Sequence, residues 1–243
     1  MNVLAERLAR GDVLRGLWQV LPGAVAAEVA AEAGFDWLVL DGEHGPWDPS
    51  GIRERLIASR AGGCPAIVRV PCGEDWVLKQ ALDLGADGVL VPMVHDAATA
   101  RGIVSACRYP PAGTRGNGAA VTRASGFGRD RDHAERANRN LSIWVQAESR
   151  KALETLEDIC AVDGVDCVFL GPADLAGDMG AAPSDPAVIA ACRDAIGRIR
   201  AAGVAAGIFA AEPEVWVEAG ANVVAMGADA VLLRQALAGA PRR

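Results

Sequence analysis

The chain has 243 residues, 51% of them hydrophobic, and a formal net charge of −7. That length suits one undivided α/β barrel or one large doubly wound domain, and the apolar content excludes a disordered chain. The acidic balance argues against a nucleic-acid or anionic-membrane surface.

Six cysteines (Cys64, Cys72, Cys107, Cys160, Cys167 and Cys192) are scattered without a C-x-x-C pair or a Cys/His cluster. In a chain this long they read as small hydrophobes in a reducing compartment, not as a disulfide or zinc framework. Met1–Arg15 mixes charged residues with Leu and Val and lacks the unbroken apolar core of a secretory signal. No apolar run approaches the roughly 20 residues of a membrane span. The expectation is a cytoplasmic protein with no membrane and no nucleic-acid partner.

In chain order, residues 14–19 form a plausible first strand, followed by an Ala-rich helix over 24–33 that Gly34 ends. Trp37-Leu38-Val39-Leu40 is a buried strand that stops in Asp41-Gly42-Glu43-His44-Gly45-Pro46. A helix over about 51–61, a strand at 66–70 and a helix from Asp75 to Gly85 come next. A strand at 88–94 and a helix at 97–107 close the first half. Residues 108–118 are too rich in Pro and Gly for regular structure and lead into a polar, Arg-rich stretch up to Asn140. Alternation resumes with strands at 142–148, 166–170, 204–209 and 222–226. Helices at 150–160, 186–202, 213–219 and from Asp229 to about Ala238 separate and follow them. Eight strands alternating with helices predict a single closed (β/α)8 TIM barrel over residues 1–243, and the G-x-G-x-x-G dinucleotide fingerprint is missing.

Such barrels place their chemistry where the strands end. The strand ends supply Trp18 and Gln19, Asp41 with Glu43 and His44, Arg69, Pro92 with His95, Gln146 with Glu148, and Asp174. Two carboxylates on neighbouring strands, Glu148 and Asp174, suit a hard divalent cation that keeps positions open for substrate; alternatively they cap the following helices. Arg69 at a buried strand end needs an anionic partner, either a ligand oxyanion or one of the carboxylates. His44 is a base or a surface loop residue. The only lysines, Lys79 and Lys151, fall outside the strands, which disfavours Schiff-base chemistry. Gly227 offers only a weak signal for a phosphate site.

Taken together, the ordered motifs resemble the HpcH/HpaI family of metal-dependent 2-oxo acid aldolases. The resembling segments are G-L-W at 16–18, L-V-L-D-G-E-H-G-P at 38–46, V-R-V-P at 68–71 and K-Q-A-L-D-L-G-A-D-G-V-L-V-P-M-V at 79–94. R-Y-P-P-A-G-T-R-G at 108–116, Q-A-E at 146–148 and G-V-D-C-V-F-L-G-P-A-D-L at 164–175 complete the set. The resemblance implies a homo-hexamer, a trimer of dimers whose subunits exchange the last helix from Asp229 onward. It implies that Glu148 and Asp174 hold Mg²⁺, Mn²⁺ or Co²⁺. Pyruvate, or an analogue such as hydroxypyruvate, is received around Gly171, Pro172 and Ala173 with Gln146 close by. On the same resemblance His44 is the base, Asp83 orients its imidazole, Arg69 stabilises the enolate, and Arg123 helps bind the aldehyde. Trp18 and Phe209 are candidate pocket walls or ordinary core. Gly126 and Gly128 stand where bulkier residues are expected, so the acceptor aldehyde is left open.

The expected function is reversible aldol cleavage of 4-hydroxy-2-oxo acids. Its rivals on the same site are an acyl-CoA lyase of the citrate-lyase-like branch and an oxaloacetate decarboxylase; a non-catalytic sensor barrel is a third.

Overall fold

The computed structural model describes residues 3–210 and 212–240. Eight parallel strands close on themselves in chain order: β1 (Leu14–Gln19), β2 (Trp37–Asp41), β3 (Ala66–Arg69), β4 (Gly88–Val91), β5 (Ser142–Ala147), β6 (Cys167–Leu170), β7 (Ala205–Phe209) and β8 (Val223–Ala228), with β8 paired back to β1. Around them lie α1 (Val3–Ala9), α2 (Ala24–Glu32), α3 (Pro49–Ala61), α4 (Asp75–Asp83), α5 (Ala97–Cys107) and α6 (His133–Asn140). The ring continues with α7 (Arg150–Glu154), α8 (Leu156–Cys160), α9 (Pro172–Met179), α10 (Pro186–Ala201), α11 (Pro213–Glu218) and α12 (Asp229–Ala238). The expected TIM barrel is the observed fold. Met1, Asn2 and residues 241–243, which the readings of the two termini include, lie outside the described residues.

The period-two alternation of strand side chains divides the core into two shells. Leu38 and Leu40 of β2, with Val68, Val89, Val145 and Val168, pack outward against the helices. Trp37 and Val39 point inward with Leu14, Ile67, Leu90, Trp144 and Phe169, so the barrel is filled by side chains. Trp37 and Trp144 meet edge to face at 5.1 Å between centroids. Gly16 makes that possible, because a Cβ there would overlap the Trp37 indole. The inner shell extends down to α1, whose fully buried Leu4 joins it and plugs the lower mouth. Arg7 of α1 pairs with Asp36 at 2.5 Å, and Asp36 also accepts the Arg15 amide at 2.7 Å.

Several helices depart from the sequence-based expectation. α1 is an additional helix before β1. α6 lies within the stretch read as irregular; none of its residues is fully buried, and its half-buried face of His133, Ala134, Ala137 and Asn138 offers no large apolar side chain to mark it. α9 begins directly after β6, where only a loop was expected. α3 starts at Pro49 instead of 51 because Asp48 accepts the Ser50 and Gly51 amides at 3.0 and 2.9 Å. The helix expected over 150–160 is broken at Thr155 into α7 and α8. No helix among the described residues is long and apolar enough to cross a membrane.

Candidate active site

The inward parity that places Trp37 and Val39 inside the barrel carries Asp41 to its upper rim. Asp41 stands in register opposite Arg69 on β3. The two form a bidentate pair, Arg69 Nε donating to Asp41 Oδ1 at 3.0 Å and Nη2 to Oδ2 at 2.6 Å. Asp41 also accepts the Trp18 indole N–H at 3.1 Å and the amides of Glu43 and His44 at 3.0 and 3.2 Å. Burial works against this carboxylate's charge, yet the bonds from Arg69 and the two amides hold its pKa below the ordinary value. The remaining guanidinium nitrogen, Nη1, lies 2.7 Å from Glu43 Oε2, and the Arg69 guanidinium stacks 4.8 Å from the Trp18 ring centre. Trp18 is therefore a buried support beneath Arg69, further braced by Phe169 and by Phe209, with centroids at 5.5 and 5.7 Å.

His44 shares this loop. Its backbone is tied to Asp41, while its imidazole is 67% exposed at the rim and its Nε2 sits 4.0 Å from Glu43 Oε2. Burial, opposed by Arg69 and His44, pushes the Glu43 carboxyl above its usual range.

Glu148 follows β5 and is only 2% exposed. Both of its oxygens are oriented: Oε1 accepts the Met93 amide at 2.8 Å and Oε2 accepts the Gln146 side-chain amide at 2.7 Å. Met93 reaches it by adopting a left-handed backbone (φ 57°) just past β4. A Cβ at Gly171 would overlap Glu148 Oε2, so only glycine leaves the carboxylate its place. Burial first, with the nearby charges of Asp174 and Glu43, raises the Glu148 pKa to about 7 against the opposing Met93 amide and Arg69. Asp174 sits in the first turn of α9, after Gly171, Pro172 and Ala173.

This donor set fits a divalent cation. The charges of Asp174 and Glu148 act on one another, and among the described residues Gln146 Oε1 is a buried oxygen with no hydrogen-bond partner. Among the described residues no three His, Cys, Asp or Glu side chains converge on one point. A cation here would rely on two carboxylates and on oxygens of water and ligand, as magnesium commonly does.

The structure does not bring Asp83 or Arg123 to His44 within one chain. α4 runs back down the barrel wall from β3, and its end leads to Asp87, which bonds the amide of Ala66 at the start of β3. Asp83 there accepts Arg115 Nη2 at 2.6 Å, and Arg123 Nη1 donates to the Leu84 carbonyl at 2.7 Å. Both belong to the foot of the barrel. Lys79 and Lys151 lie on α4 and α7, away from the strands.

The anchoring role of Asp41, the Glu43 contact to Arg69 and the Met93 amide were not read from the sequence. The Trp37-Val39-Asp41 parity is a signal for the first. The Met93 contact is made by the main chain, and residue type gives no sign of it.

Glu148 gives the metal-free protein a definite pH response. A carboxyl whose pKa is raised on folding holds its proton more tightly when folded, so its contribution is fully present below the unfolded value. That contribution is lost as pH rises through the folded one. From an ordinary value of 4.5 to about 7 the loss is on the order of 3 kcal/mol. Asp166, raised by burial to about 6, acts in the same direction. In EDTA the thermal midpoint is expected to fall between pH 5 and 7.5, less steeply in Glu148→Gln. Added Mg²⁺ should raise the midpoint more at pH 7.5 than at pH 5, because it competes with the proton. A midpoint that climbs with pH in EDTA contradicts this.

An inner-filled (β/α)8 barrel with an arginine anchored at its rim and carboxylates at two adjacent strand ends carries its charged groups where barrels of this class place their chemistry. The family model for HpcH/HpaI aldolase/citrate lyase matches residues 15–236, and the chain belongs to that family. It is 46% identical over 239 residues to a hydroxypyruvate/pyruvate aldolase of Roseovarius nubinhibens, covering 96% of this chain and 93% of the relative. A protein of the same description from Agrobacterium fabrum is 50% identical over 219 residues, 88% of this chain and 82% of that one. Among solved structures, an HpcH/HpaI aldolase/citrate lyase family protein from Burkholderia cenocepacia superposes with a TM-score of 0.94 at 38% identity. The match covers 98% of this chain and 97% of that one.

Proposed function

We propose that the protein is a class II pyruvate aldolase. It reversibly cleaves 4-hydroxy-2-oxo acids to pyruvate, or hydroxypyruvate, and an aldehyde. The observation that carries this reading is the buried, doubly oriented Glu148 carboxylate beside Asp174, with the Asp41-anchored guanidinium of Arg69 close enough to act on its charge. The names of the Roseovarius and Agrobacterium relatives support it.

Glu148 and Asp174 would hold Mg²⁺, Mn²⁺ or Co²⁺, which when bound supplies Lewis-acid polarisation of the 2-oxo group. The first-turn amides of Ala173 and Asp174, with Gly171 and Gln146 beside them and Pro172 shaping the turn, receive the substrate carboxylate. In cleavage His44, acting through a water, takes the proton of the 4-hydroxyl. The C3–C4 bond breaks, the aldehyde leaves, and its bonding pair becomes the enolate of the oxo acid. Arg69, fixed by Asp41 and Glu43, stabilises the charge that grows on the keto oxygen. Protonation at C3 completes pyruvate, and the reverse sequence is the condensation.

Asp83 and Arg123 can serve a His44 only across a subunit boundary. The roles expected of them, orienting the imidazole and binding the aldehyde, thus call for a neighbouring copy. Exposed Trp76, in the first turn of α4, and Val121 and Phe127 line one groove along α4 that ends at Asp83, as a subunit contact requires. α12 likewise buries none of its residues and exposes Val231, Leu232, Leu233 and Leu237. That suits its exchange between subunits of a hexamer built as a trimer of dimers. The free cysteines, five of six buried, accord with a reducing, cytoplasmic setting.

The test is condensation of pyruvate and of hydroxypyruvate with a short panel of aldehydes. One oxo acid is expected to disappear per aldehyde consumed, with turnover lost in EDTA and regained on adding Mg²⁺ or Mn²⁺. Turnover that persists undiminished in EDTA overturns the reading.

A further inference from the structure

Three consecutive residues after β4 are tied to the next β/α unit. The Met93 amide bonds Glu148, and the Val94 amide donates to the Gln146 carbonyl at 3.0 Å. His95 follows with two contacts: its Nδ1 lies 2.8 Å from Ser149 Oγ, and its carbonyl accepts the Thr155 hydroxyl at 2.7 Å. Ser149 Oγ already accepts the Ala152 amide at 3.1 Å as the cap of α7. Its own hydrogen is therefore free for Nδ1 of a neutral imidazole. Met93 holds its left-handed backbone without being glycine, a conformation that persists only where the surroundings over-determine it. Glu148 and Ser149 are adjacent, so whatever fixes Ser149 against this loop also fixes the approach of the Met93 amide to Glu148.

We propose that His95 is a positioning residue that clamps the loop after β4 to Ser149 and thereby holds the Met93 amide on Glu148. The mechanism above makes no use of His95. The proposal rests on the reading of Glu148 as a metal ligand, and the test separates the two. Free Mn²⁺ is followed by electron paramagnetic resonance while it is titrated into EDTA-treated, dialysed wild type, His95→Ala and His95→Asn. Loss of an outer partner of a ligand typically weakens metal binding by roughly ten- to a hundredfold, and a residue acting through the loop is expected near about tenfold.

The expected result is weaker binding in His95→Ala, with recovery in His95→Asn, whose amide reproduces the Nδ1 position. The thermal midpoint in EDTA should move little. Equal Mn²⁺ affinity in wild type and His95→Ala overturns the proposal while leaving the metal site standing. Failure of His95→Asn to recover overturns the hydrogen-bond basis of the clamp. No binding by wild type overturns the metal reading, and the proposal with it. Should His95→Ala not fold, Ser149→Ala, which removes the same bond from its other end, carries the test.

Discussion

Glu148→Gln is expected to lower aldol turnover by about a thousandfold or more while leaving the apo protein more stable at pH 7.5. The activity loss follows from the donor set, since one carboxylate cannot keep a divalent cation where Asp174 and Glu148 together would. Losing Lewis-acid stabilisation of several kcal/mol corresponds to about three orders of magnitude in rate. The gain in stability follows from the same carboxylate's burial. At pH 7.5 it is mostly charged in EDTA, buried, and offset only in part by Arg69, whereas a neutral amide keeps the acceptor for the Met93 amide and avoids the desolvation. Steady-state turnover and thermal melts on one preparation check both halves. A variant that is active in EDTA, or one less stable than wild type there, contradicts the assignment.

Arg69→Met is expected to destabilise the fold by about 3–5 kcal/mol, since it leaves Asp41 charged, buried and without its bidentate partner. It also removes the guanidinium under which Trp18 is stacked. The double variant Asp41→Asn/Arg69→Met should regain part of that stability, because no unpaired charge remains. It should not regain turnover, because the double variant lacks the guanidinium that the proposed mechanism sets against the charge growing on the keto oxygen. Denaturant titrations with kinetics separate the two effects. Recovery of activity together with stability would show that the pair is structural only.

The barrel itself was legible in the sequence because each strand is a short apolar run stopped by Gly, Pro or a charged residue, and because eight such runs recur with helices between them. The misread segments are those in which local signals are weak. The half-buried face of α6 carries only small and polar residues, and α9 is an eight-residue helix opened by Pro172 directly after β6. The break at Thr155 comes from a hydroxyl bonded to His95, sixty residues away in sequence.

The same division holds for the site. Arg69, Gln146 and Glu148 were legible as polar residues at ends of buried strands, and the need of Arg69 for an anionic partner was clear from its charge. Which partner each takes was not. Asp41 binds Arg69 because parallel register sets residues 41 and 69 side by side. Asp83 is held by Arg115, on a loop whose path is fixed by Tyr109, over whose ring Arg115 stacks at 4.4 Å. Motif likeness placed Asp83 and Arg123 in the active site, and only the return path of α4 shows that a single chain keeps them at the opposite end.

The most direct test of the central claim is proton NMR of pyruvate in D₂O with catalytic amounts of protein, first with Mg²⁺ or Mn²⁺ and then in EDTA. Forming the enolate exchanges the methyl protons without any aldehyde, so the acceptor need not be known. The expected result is loss of the methyl signal that depends on the cation and is slowed in His44→Ala and in Arg69→Met. A methyl signal that stays intact with every cation supplied would contradict enolate chemistry on pyruvate at this site.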